Sequence, residues 1–223
     1  MTQQIDLKQI ERKAWRSVFQ DGLWDIYLGL LLLAMAVSAW LSERGIAKPV
    51  HYAVYIGLVV LAMGVLWAGK RFITLPRMGR VKFGPKRKRA RALVSLILTF
   101  SVLVGLALML VTIRLKSNPD LAALLSPDLF LPLAWVVNVL IVFGLGAYFL
   151  EFKRLYFIGV MYALAIPFDI MLHEFAGIDI SYVAFGAPAV IILIVGLVVF
   201  VRFLRDYPIP AGPAPEGVPN ASR

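Results

Sequence analysis

No cysteine occurs among the 223 residues. That excludes a disulfide framework and any thiolate metal site. Charge is sparse: Asp, Glu, Lys and Arg make up 16% of the chain, against about 25% in an ordinary soluble domain. Acid is the scarcer sign, with 13 carboxylate side chains against 23 Lys and Arg, and histidine occurs only 2 times. Familiar catalytic patterns are missing too. The chain has no glycine-rich phosphate loop, no HExxH, no Ser–His–Asp order and no GxSxG elbow. Period-two alternation is absent from runs such as VIILIVGLVV, which argues against a transmembrane β-barrel.

What is present is apolar side chain, at 61% of all residues. Six runs reach the roughly 20 residues that a helix needs to cross a bilayer. They lie near 23–41, 51–69, 93–113, 129–150, 155–173 and 184–201. In lipid the backbone must satisfy its own hydrogen bonds, so these runs are expected to be helices. The expected fold is all-α, a polytopic bundle with six spans over residues 23–205. An amphipathic interfacial helix is expected over 1–22, and a disordered Pro-rich tail over 206–223. The segment before the first run is long and contains Asp6, Glu11 and Asp21. It therefore reads as the lead into a retained span rather than as a signal peptide.

Six spans put both termini on one side. That side would hold 19 of the 23 Lys and Arg residues, leaving Arg44, Lys48, Arg114 and Lys116 on the other. By the positive-inside rule the termini face the cytoplasm, which places the chain in a bacterial cytoplasmic membrane. The densest charge lies in the loop at 70–92. There Arg77, Arg80, Lys82, Lys86, Arg87, Lys88, Arg89 and Arg91 are uninterrupted by acid. Near an anionic leaflet each cation contributes about 1 kcal/mol, so this loop is expected to bind anionic lipid headgroups. Pro76, Gly79, Gly84 and Pro85 predict an irregular segment up to Pro85, followed by a basic helical lead into the third span. Residues 118–128 predict one short helix capped by Asn118. The juxtamembrane position accounts for the charge without nucleic acid.

Two stretches, RKAWRSVFQDGLWDIYLGL at 12–30 and ITLPRMGRVKF at 73–83, resemble an uncharacterised prokaryotic family of small multi-pass membrane proteins. The resemblance implies the multi-pass topology. It implies no activity and no site.

Ionisable groups within spans are functional candidates by default. Asp21 and Asp25 sit at the boundary of the first span and are expected to pair with Arg16, Lys153 or Arg154, since a carboxylate there can reach water or a cation. Further along, Asp169 and His173 stand four residues apart on one helix face, with Tyr162 one further repeat back. Pro167 frees a backbone carbonyl beside them. Together with Asn138 in the fourth span they form the candidate solute or proton site. His51, Asp169, His173 and Glu174 are the candidate metal ligands, in no recognised metal spacing. A polar helix end meeting water explains the same residues. Glycines 57, 64, 105, 144, 146, 159 and 196 are expected where helices approach closely. No cofactor is implied. The leading reading is a non-enzymatic accessory or regulatory membrane protein that contacts anionic lipid or a membrane-protein partner. The alternatives are a small transporter or channel, and an intramembrane enzyme at the outer Asp/His/Glu group.

Overall fold

A computed structural model describes residue 15 and residues 18–78, 84–117, 127–176 and 180–208, excluding the side chains of 86, 115–117, 127–129 and 174–176. Among these residues the protein is all-helical. The helices are α1 (Leu23–Glu43), α2 (Lys48–Ala68), α3 (Pro85–Ser117), α4 (Pro127–Leu150), α5 (Arg154–Ala176) and α6 (Ser181–Asp206). All six are long and apolar enough to cross a membrane. The 21 residues of α1 rise about 32 Å, close to the thickness of a hydrocarbon core. The chain is a multi-pass membrane protein with six spans.

Contacts arrange the helices in the spatial order α2, α1, α6, α5, α4, α3. The most extensive contact joins α1 to α6. Lipid supplies no hydrophobic drive between helices, so close packing of small residues matters more than in water. Here Gly22, Gly29 and Gly196 provide it. A Cβ built on Gly196 would lie 2.9 Å from the Ile26 backbone nitrogen, and one on Gly22 would lie 2.5 Å from the Gly196 carbonyl oxygen. Gly22 also has φ 73°, a left-handed conformation that side chains resist. Of the glycines singled out in the sequence, 146, 159 and 196 do lie against neighbouring atoms, whereas 57, 64, 105 and 144 face open space. The main core joins Leu32, Val139, Ile158, Tyr162, Ala163, Ala189 and Ile192 from α1, α4, α5 and α6. The outermost helix, α3, buries none of its apolar span window.

Helix ends differ from expectation. The second span does not turn irregular after Ala68. It continues as a π-helical turn, Gly69–Thr74, and then an α-turn, Leu75–Met78. In the widened turn the Leu75 N–H donates to the Lys70 carbonyl, five residues back. Pro76 follows at once. A proline ring clashes with the carbonyl four residues before it, and a π-turn is one way to accommodate that. The basic lead into the third span is helical as expected, since Lys, Arg and Ala are good helix formers that leave the bilayer without ending the helix. Most of the N-terminal segment, the Asn118 helix and the Pro-rich tail lie outside the described residues.

Candidate functional site

The most elaborate polar construction lies where α1 begins, α2 ends and α5 begins. Asp21 precedes α1 and is fully buried. Its Oδ2 accepts from Lys70 Nζ at 2.6 Å and from Thr74 Oγ1 at 2.7 Å. Its Oδ1 accepts from the Leu23 backbone N–H at 3.2 Å, a local turn that opens α1. Lys70 donates a second bond, to the Val18 carbonyl at 2.6 Å. The π-turn carries both Lys70 and Thr74, and so presents two side chains to one carboxylate.

One helical turn on, Asp25 is buried as well. It faces Arg154 from the first turn of α5. The guanidinium Nε donates to Oδ1 at 3.3 Å, and Nη2 lies 2.9 Å from Oδ2 at an angle too oblique for a hydrogen bond. The same Nη2 donates to the Phe19 carbonyl at 2.6 Å. Asp25 also lies in the first turn of α1, where a carboxylate complements the helix dipole. Gly196 allows α6 to close over it, since a Cβ there would come within 3.1 Å of the Asp25 Cβ. The expected pairing of Asp25 with Arg154 is present. Asp21 takes Lys70 and Thr74, its expected partner Arg16 lies outside the described residues, and both carboxylates are buried. Chemically the two pairs are fastenings: Asp21, held by three donors, has little capacity left to act as a base, while Asp25 is paired with Arg154 and keeps Oδ2 without a hydrogen bond. One signal for Lys70 was in the sequence. It is the cation that closes the second apolar run, at the same bundle end as Asp21.

Beside this node sits Trp15, fully buried among Phe19, Ala147, Phe152 and Leu155. Its indole N–H donates to the Leu150 carbonyl at 2.8 Å. The Arg87 and Arg91 guanidiniums each lie 5.0 Å from its ring centroid. Such contacts are worth roughly 0.5–2 kcal/mol. Arg87 also pairs with Glu151 at 2.9 Å. The aromatic residues 15 and 19 of the N-terminal segment are thus turned into the protein.

Of the loop cations, Arg77 donates to the Tyr207 carbonyl at 3.0 Å, and Arg87 and Arg91 engage Trp15. Lys88 and Arg89 are exposed. Arg80, Lys82 and the Lys86 side chain lie outside the described residues.

The other sequence candidates occupy separate helix contacts. Asn138 donates to Ser101 at 3.0 Å, joining α4 to α3. The Tyr162 hydroxyl donates to the Leu28 carbonyl at 2.5 Å, joining α5 to α1. The imidazole of His51 hydrogen-bonds Ser38, joining α2 to α1. Asp169 is half-buried and His173 is exposed, both on α5, and the Glu174 side chain lies outside the described residues. Trp135 donates to the Tyr162 carbonyl at 3.3 Å, one residue before the carbonyl that Pro167 frees. No cluster of three or more His, Asp or Glu suited to a metal is found among the described residues.

Compared with family models, curated proteins and solved structures, the chain matches none.

Proposed function

We propose that this protein is an accessory or regulatory component of a bacterial cytoplasmic membrane, with its basic end in the cytoplasm and in contact with anionic lipid. The observation that carries the reading is the distribution of charge. Nineteen of the 23 Lys and Arg fall on one side of a six-span topology, and ten of them lie between Lys70 and Arg91. A non-enzymatic role is supported by the way the polar groups are used. Asn138, Tyr162 and His51 each bond a different neighbouring segment of the bundle, and Asp21 and Asp25, which lie side by side, are each taken up in an ion pair.

An environment-sensitive fluorophore on Gly84→Cys in the full chain tests the lipid contact. The expected outcome is a blue-shifted emission in bilayers containing phosphatidylglycerol that fades toward 1 M salt, where the screening length falls to about 3 Å. Replacing Lys86, Arg87, Lys88 and Arg89 with Gln removes the shift. The same emission in neutral and anionic bilayers contradicts the proposal.

A further inference from the structure

The start of α3 and the turn between α4 and α5 enclose a cleft of about 940 Å³. Its rim carries Arg87, Arg89 and Lys153 against one carboxylate, Glu151, and its wall is formed by Leu93, Tyr148 and Tyr156. The rim is not uniformly committed. Arg87 is fixed by Glu151 and by the Trp15 ring. Among the described residues no ion pair engages Arg89 or Lys153. Both are exposed, one on each bank.

The start of α3 supplies a reason for an anion here. The helix opens with Lys86, Arg87, Lys88 and Arg89 and has no acid in its first turn. The N-terminal end of a helix is electropositive and favours negative charge, so four cations placed there conflict with the helix that carries them. A bound anion removes that conflict. On the opposite bank Glu151 holds φ 54° at the end of α4, where glycine is usual. The Phe152 N–H to Ala147 carbonyl bond, at 3.0 Å, closes this reversal. The strained residue is the one that orients Arg87 across the cleft.

The anion has an apolar remainder. The wall below the rim is apolar and faces outward: Leu93 of α3, Tyr148 of α4 and Tyr156 of α5 are all exposed. Cationic rim and exposed apolar wall therefore lie side by side, as a membrane presents headgroup beside acyl chain.

We infer that this cleft is a discrete binding site for one anionic glycerophospholipid, its phosphate held by Arg89 and Lys153 and an acyl chain lying against Leu93, Tyr148 and Tyr156. The inference rests on the proposed lipid contact and narrows it from a charged surface to a site.

The test is native mass spectrometry of the full-length protein in mild detergent, titrated with phosphatidylglycerol or phosphatidylcholine. One phosphatidylglycerol is expected to bind preferentially and to resist competition by millimolar inorganic phosphate. Arg89→Gln with Lys153→Gln is expected to weaken it about thirtyfold. Arg71→Gln with Arg202→Gln, an equal loss of charge at exposed positions elsewhere, is expected to leave it unchanged. Leu93→Trp, which fills the cleft with its cations intact, is expected to remove the bound lipid. Equal weakening by the two charge pairs overturns the site and leaves a diffuse electrostatic surface. Displacement by inorganic phosphate overturns the lipid as occupant. No preference for the anionic lipid overturns both the site and the broader lipid reading.

Discussion

Asp21 and Asp25 are four residues apart, both fully buried, and each is held by a cation from a different helix. Withdrawing a carboxylate from water is expensive, and removing one partner of a buried pair typically costs about 3–5 kcal/mol, because the other charge is left stranded. Asp21→Ala is expected to lower stability by an amount in that range, strands Lys70, and leaves Thr74 without its acceptor. Lys70→Ala strands Asp21 instead. The two changes act on one interaction, so the double variant should cost less than their sum by about 0.5–3 kcal/mol. Thermal unfolding of the four proteins in detergent measures this, and strictly additive losses would contradict the pairing. The sequence displayed the aspartates but not their partners. Lys70 and Thr74 lie 49 and 53 residues from Asp21. Their meeting depends on how α2 returns to the start of α1, which no local pattern encodes. Asn138, Tyr162 and His51 illustrate the same limit: residue type flagged them as candidates, while the bundle assigns each a different neighbour.

At the scale of elements, run length and composition were enough to locate six helices, because the bilayer imposes a minimum length that soluble helices need not meet. Helix ends were harder. Pro76 pointed to a break, yet the π-turn before it carries the second span on to Met78. Close approach was also only partly legible. Glycine is compatible with both tight packing and open space, and only the three-dimensional arrangement separates Gly196 from Gly57. The contact between α1 and α6 gives a direct comparison. Gly196→Ala places a methyl 2.9 Å from a backbone nitrogen that cannot rotate away, and is expected to cost about 1–3 kcal/mol. Gly57→Ala meets nothing within 4 Å and is expected to be neutral or slightly stabilising, since alanine is the better helix former. Equal melting temperatures for the two variants would contradict the packing described for α1 and α6.

At the scale of the whole molecule, one end gathers the buried ion pairs, the Trp15 clamp and the cleft proposed to hold lipid. All three draw on the same scarce resource, cations concentrated between Lys70 and Arg91 together with Lys153 and Arg154. The proposed orientation turns that end toward the cytoplasm and its anionic leaflet. Because the chain contains no cysteine, every introduced thiol reports alone. The decisive measurement places one cysteine at Gly84 and, in a separate variant, one at Ser181, and exposes intact cells and inverted vesicles to a membrane-impermeant thiol reagent. Labelling of Ser181→Cys in intact cells, with Gly84→Cys reacting only in inverted vesicles, is the predicted result. Labelling of Gly84→Cys in intact cells while Ser181→Cys is spared would reverse the orientation and remove the basis for the proposed function.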